Sequence, residues 1–297
     1  MFEMLKNNEE IDQRFGDRFD LLKIEKYEHL REVESYFIEI MKNYPTNYCY
    51  DLTAFEHPYF DNINYTIFSD FFMMKPLQPD LSNIQINEAL IYGDSFKIDY
   101  FQIYSELLKN KNLNKYKTKS TNVSNIEAVV ALPGGNLLDK ICFNKLKWIY
   151  RTHGKFAIFK PHPLTEPIEI DMLYEKIHKH INIANYDDDL YEYIKVADIV
   201  YSTHSSESVF YSLCLGKKVE PIDTFQHRMF GSFSHINNYL FETDNRKLVI
   251  NKIFNDYRSG LINPIYQKDW KDRIEKYLDY IHEKRLNYRY KYIQQIP

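Results

Sequence analysis

Two short runs put side chains suited to phosphate chemistry directly after apolar strands. Phe156-Ala157-Ile158-Phe159 leads into Lys160-Pro161-His162-Pro163, and Asp198-Ile199-Val200-Tyr201 leads into Ser202-Thr203-His204-Ser205-Ser206. An ammonium and an imidazole at one strand end, with hydroxyls and helix-opening amides at another, suit a phosphate group. The prolines fix the backbone on both sides of His162. Each piece also has a plainer reading. Ser205 and Ser206 serve equally as helix caps, and Glu207 suits the dipole of the helix it opens. Gly134 and Gly135 would let a phosphate approach the backbone, or would serve only as a turn. Asp187-Asp188-Asp189 reads as solvated helix caps. No paired His/Cys set has ligand spacing, so neither a metal nor a resident cofactor is expected.

The elements that must position these residues follow from periodicity. Leu21, Ile24, Tyr27, Leu30, Val33, Phe37, Ile40 and Met41 recur at helical steps, and Pro45 closes that pattern. From Asn47 to Pro79 the chain is aromatic and irregular, with Tyr65-Thr66-Ile67-Phe68 its best strand. Ala89-Leu90-Ile91-Tyr92 reads as a strand ending at Gly93-Asp94-Ser95, followed by a helix through Ile98 to Leu108. That is a first βα unit with Asp94 at its carboxyl end. Residues 109–124 are polar and Lys-rich, which places a domain boundary there: residues 1–118 form one domain, and 119–297, with the candidate phosphate site, a second. Beyond it, apolar runs at 128–132, 156–159, 181–184, 198–201 and 218–222 alternate with helical segments. Such alternation predicts a parallel sheet. A last helix, from Lys268 to about Ile293, carries Trp270, Ile274, Tyr277, Leu278 and Ile281 on one face.

Composition sets the outer bounds. The 297 residues are 44% hydrophobic and 27% charged, enough for a full core, and the net charge of −4 offers no global attraction to nucleic acid. Cys49, Cys142 and Cys214 form no metal spacing and suit a reducing compartment. No apolar run is long enough to span a bilayer. A cytoplasmic protein is expected.

Order and spacing together resemble the bacterial capsule-polysaccharide transferases and sialyltransferases that use CMP-activated sugars. Phe159-Lys160-Pro161-His162-Pro163 looks like their HP motif, and Ala197 to Glu207 looks like their SS motif. Leu213-Cys214-Leu215-Gly216-Lys217-Lys218-Val219 is similar to their helix-Gly-Lys-strand ending. The likeness covers about residues 127–222. It implies an α/β, GT-B-like fold of two Rossmann-type domains facing a cleft, with the C-terminal helix packing back. It implies that His162, Ser205 and Ser206 hold the donor phosphate, with Lys160 and the helix amides supporting them. The implied reaction is an inverting, metal-independent transfer from a nucleotide sugar, CMP first and UDP second, to the hydroxyl of a surface glycan. The family's acidic base motif is not evident, so the base is sought by position: Asp94 first, then Asp70, Glu56 and His57. Tyr59, Phe60, Phe71 and Phe72 are candidates for an acceptor platform.

Two further readings remain open. The basic, Tyr-interleaved run Lys284-Arg285-Leu286-Asn287-Tyr288-Arg289-Tyr290-Lys291-Tyr292 suits a transferase that modifies DNA bases, or peripheral contact with an anionic membrane. The missing acidic motif suits a non-catalytic nucleotide-binding or assembly protein.

Overall fold

The computed structural model describes residues 28–50, 62–68, 70–110, 113, 118–119, 123–134, 138, 140–163, 165–223 and 231–293, with side chains through residue 287. Packing divides the described chain into two units, residues 28–100 with 247–293, and residues 101–246. Both are α/β.

The first unit holds a mixed four-stranded sheet in the order β1-β2-β3-β9, formed by Tyr48–Tyr50 (β1), Ile63–Ile67 (β2), Phe72–Pro76 (β3) and Leu261–Ile262 (β9). β1 runs parallel to β2, while β2–β3 and β3–β9 are antiparallel. The described strands are therefore not the parallel Rossmann-type sheet expected of an N-terminal half. Helix Glu28–Met41 lays Phe37 over this sheet, 5.2 Å from Tyr65 and 5.4 Å from Phe72 between ring centroids. Phe71 is fully buried and meets Phe254 edge-on at 5.2 Å. Phe71 and Phe72 are thus core residues and not an acceptor platform; Tyr59 and Phe60 lie outside the described residues.

The expected strand at 89–92 is the last turn of a helix, Pro79–Tyr92. Pro79 opens it with its fixed φ, and Leu81, Ser82, Gln85, Ile86 and Ala89 are its buried positions. A four-residue apolar run fits one helical turn as well as a strand, and the longer pattern decides. The C-terminal helix, Trp270–Ile293, buries Ile274, Tyr277, Leu278 and Ile281 as expected, whereas Trp270 stays half-buried, edge-on to Tyr36 at 5.4 Å. Tyr277 donates to Gln85 Oε1 at 3.1 Å, and Gln85 Nε2 donates to the Ser259 carbonyl at 3.0 Å. Gly260 follows with φ +73°, where a Cβ would stand 2.1 Å from the Met74 carbonyl oxygen, so only glycine fits there.

The second unit is built on a five-stranded parallel sheet in the order β6-β5-β4-β7-β8. Its strands are Ala128–Ala131 (β4), Ala157–Lys160 (β5), Asn182–Ile183 (β6), Ile199–Ser202 (β7) and Lys218–Pro221 (β8). The three inner strands are buried at every position and, up to Lys160 and Ser202 at the carboxyl ends of β5 and β7, read as continuous apolar runs, as strands covered on both faces must; β6 and β8 are the part-exposed edges. Val130, Leu146, Ile149, Phe159 and Leu173 anchor one core, each such side chain contributing about 1.5–3 kcal/mol when fully buried.

The division at 100/101 lies upstream of the expected boundary at 118/119. Helix Tyr100–Asn110 carries Tyr104, which packs on Phe210 at 4.9 Å and Tyr211 at 6.2 Å in the second unit. Lys119, inside the Lys-rich segment, is laced to the same unit: its N–H donates to the Asp187 carbonyl at 2.7 Å, and its carbonyl accepts from Asp189 N at 3.1 Å. The chain after residue 246 rejoins the first unit.

Candidate functional site

The five-stranded sheet has a point where its winding reverses. The chain moves outward from β4 through β5 to β6, then returns to lay β7 and β8 on the other side of β4. In open parallel sheets, ligands bind beyond the carboxyl ends of the strands at such a point. Four chain segments leave the sheet there: Leu132-Pro133-Gly134 after β4, Pro161-His162-Pro163 after β5, Thr203 to Glu207 after β7 and Ile222-Asp223 after β8. Gly134, His162, Ser205, Ser206 and Glu207 therefore stand on three adjacent strand ends, while Gly135 lies outside the described residues.

Lys160 differs from its expected role. Its side chain is 2% exposed, and Nζ donates to the carbonyls of Pro161 at 2.7 Å and Tyr186 at 3.0 Å. Burial pushes its ammonium down to about 8, against the opposing pull of Asp188, Asp189 and Asp187. Of the three acids expected to be solvated caps, Asp189 does cap the helix, but it and Asp188 are not solvated. Asp188 and Asp189 are buried; Asp188 Oδ2 accepts from the Tyr193 hydroxyl at 2.6 Å, and Asp189 Oδ1 caps helix Leu190–Val196 through Tyr191 N at 3.0 Å. Lys160 thus ties the β5 turn to the segment before that helix. The turn itself closes with Thr165 N donating to the His162 carbonyl at 2.9 Å, and His162 is half-buried.

The turn after β7 is organised by hydroxyls and by two residues from outside it. Ser206 N donates to the Thr203 carbonyl at 3.1 Å, and Ser206 Oγ accepts from Ser208 N at 3.2 Å, capping helix Ser208–Cys214. Ser206, Ser208 and Ser202 form a hydroxyl chain with 2.8 Å at each step. Glu207 already has helical φ and ψ, and its carbonyl accepts from Tyr211 N at 3.3 Å. At seven residues this helix is short, so the hydroxyls and turn geometry matter more than its dipole. Asn237, from helix Ser234–Leu240, donates through Nδ2 to the carbonyls of His204 at 2.9 Å and Ser206 at 2.8 Å. Asp223 meets His204 twice: Oδ2 accepts from the backbone N–H at 2.6 Å, and Oδ1 lies 2.8 Å from Nδ1.

Sequence reasoning missed Asp223 and Asn237. Asp223 carried a usable signal, since an acid directly after the last apolar run stands at a strand end. Asn237 carried none, because its partners lie over thirty residues away in sequence.

The described base candidates, Asp94 and Asp70, fall in the first unit. Asp94 follows a helix and not a strand; it is exposed, and its Oδ1 accepts from Phe96 N at 2.8 Å in a local turn. The positional reason for choosing it is gone. Asp70 is buried, with Oδ2 accepting from Asn263 Nδ2 at 3.1 Å and Oδ1 3.7 Å from His29 Nε2. Glu56 and His57 lie outside the described residues. The basic C-terminal run is also partly spent internally. Lys284 pairs with Glu88, and Arg285, 8% exposed, donates to Thr46 Oγ1 and the Asn62 carbonyl, both at 3.1 Å. That weakens the case for a phosphate-tracking stripe.

Among the described residues, no group of three or more His, Cys, Asp or Glu side chains is placed to hold a metal ion, and no helix is long and apolar enough to cross a membrane. Comparison with protein-family models and with curated proteins finds no match for this chain.

Proposed function

We propose that the second unit binds the phosphate of a nucleotide sugar, and that the protein is a glycosyltransferase of GT-B type. The single observation behind this reading is the convergence of Gly134, His162, Ser205 and Ser206 on three neighbouring strand ends at the winding reversal of a parallel sheet. In this reading His162, Ser205 and Ser206 hold the donor phosphate. Lys160 is a positioning residue that shapes the His162 turn from beneath. The reaction is an inverting transfer to a hydroxyl acceptor, a surface glycan by the motif likeness, with a CMP-sugar as first donor and a UDP-sugar as second. A thermal-shift and calorimetry screen against CMP, UDP, GDP and their sugars tests it. A ligand at one hundred times its dissociation constant raises stability by about 2.7 kcal/mol. Silence across the whole panel would remove the nucleotide site.

The local turn that occupies Asp94 favours a second reading, a nucleotide-binding protein without transferase activity. Donor hydrolysis by the purified protein separates the two, since a binding module leaves the sugar–phosphate bond intact.

A further inference from the structure

We propose that His204 is a catalytic residue of this donor site, presenting Nε2 to the leaving phosphate, with Asp223 as its positioning residue. The proposal rests on the nucleotide-sugar reading above and adds a group that the HP and SS motif likeness does not assign.

The arrangement around His204 is more specific than loop closure requires. Asp223 meets this residue with each of its carboxylate oxygens, 2.6 Å from its backbone nitrogen and 2.8 Å from Nδ1. The carboxylate accepts, so Nδ1 carries the proton and the ring cannot flip without losing that bond. Among the described residues Nε2 has no hydrogen-bond partner, although the side chain is only 7% exposed. The ring is further held by Phe241, 4.5 Å away between centroids, and the His204 carbonyl by Asn237. One residue earlier, Thr203 Oγ1 is buried with no partner, and Asn237 Oδ1 is likewise left without one. Buried polar atoms are ordinarily satisfied, so two unsatisfied buried atoms beside the unengaged Nε2 mark a place where a polar ligand belongs.

The chemistry balances on the groups present. The bond between the anomeric carbon and the phosphate oxygen breaks, its electron pair passing to that oxygen. The acceptor hydroxyl forms the new bond to carbon and releases its proton to water. With Nδ1 held by Asp223, His204 presents Nε2 to the oxygen that gains the charge, and a hydrogen bond donated from Nε2–H strengthens as the sugar–phosphate bond breaks.

Two substitutions divide the ring's functions. His204→Asn places an amide N–H near the position of Nδ1, keeping the bond to Asp223 while deleting Nε2. It should melt close to wild type, and donor hydrolysis should fall about 10²–10³-fold. His204→Gln reaches the Nε2 position with its amide and loses the Asp223 contact. It should melt lower yet retain more turnover than the Asn variant. Wild-type turnover in His204→Asn, with nucleotide bound as before, overturns the proposal while leaving the nucleotide reading intact. A wild type that neither binds CMP nor hydrolyses any donor removes both. A third readout is needed in case His204→Asn does not fold. Proton–nitrogen spectra of histidine-labelled wild type, with the His204 signal assigned through the Gln variant, report Nε2 directly. Its resonance should move on saturation with CMP, and an unmoved resonance overturns the proposal.

Discussion

The turns that follow β5 and β7 leave the same sheet in the same direction, yet they treat their polar groups in opposite ways. After β5 the cation is turned inward: Lys160 Nζ bonds two carbonyls and is balanced by buried aspartates. After β7 the backbone is pinned from outside by Asn237 and Asp223, while Thr203 Oγ1 is left unsatisfied. The first arrangement uses its polar chemistry to hold a loop in place. The second uses borrowed polar groups to hold the loop's carbonyls and leaves Thr203 Oγ1 and Asn237 Oδ1 unsatisfied beside them. A lysine beside a candidate phosphate site is therefore no evidence for phosphate contact until its own partners are counted.

The comparison breaks most sharply at Lys160. Replacing it with Met removes the donor to two carbonyls and leaves Asp188 and Asp189 buried without their countercharge. The loss should be on the order of 3–5 kcal/mol of unfolding free energy by urea titration. CMP affinity, measured where the variant is still folded, should change little. The reverse outcome, a normal melt with lost affinity, would mean that Lys160 faces the ligand after all.

Next in size is a pH effect of the same lysine. Its folded value is lowered to about 8, against about 10.4 in the unfolded chain. Between these values the unfolded state binds more protons, so stability must rise with pH. From pH 7.5 to 9.5 the gain from this one group should be about 2 kcal/mol, and Lys160→Met should lack it. Parallel curves for the two proteins would show that the ammonium is not desolvated.

Asn237→Ala probes the other turn. It strips the donors from two carbonyls in a buried setting, at a cost of about 1–2 kcal/mol. Because those donors hold the residues on both sides of Ser205, nucleotide affinity should fall along with the melting temperature. A stability loss with unaltered affinity would reduce Asn237 to a fold residue.

What was legible in the sequence follows the same physics. The strands of the second unit could be read because inner parallel strands are buried on both faces and appear as unbroken apolar runs, such as Ala128 to Ala131. In the first unit Ala89 to Tyr92 looked identical to those runs and proved to be a helical turn, since four apolar residues carry too little periodicity to choose. Return of the chain after Arg246 to the first unit left no local trace. At the site, strand-end positions were legible for His162, Ser205 and Ser206, because they depend only on where an apolar run stops. The inward turn of Lys160 was not, because its second carbonyl belongs to Tyr186. Nor was the His204–Asp223 pair, whose members stand at opposite ends of the crossover from β7 to β8.

The smallest expected effect is the one that best sharpens the contrast, and it lies at Ser206. Its Oγ accepts from Ser208 N and meets Ser208 Oγ at 2.8 Å, so Ser206→Ala should cost about 1 kcal/mol as a lost cap, whatever the ligand. That stability change alone decides nothing, because a cap and a phosphate contact draw on the same hydroxyl. Ser206→Asp separates them. Aspartate caps a helix as well as serine does, so the melting temperature should stay close to wild type. Its carboxylate, however, would stand where the reading places a phosphate, and two anions at that distance repel. CMP affinity should then fall at least tenfold, about 1.4 kcal/mol by calorimetry, more than in the alanine variant. Raising the salt concentration should recover part of the loss, since screening weakens repulsion between partly exposed charges. Equal CMP affinity in wild type and Ser206→Asp would put the phosphate elsewhere. The turn after β7 would then join the turn after β5 as a purely structural device.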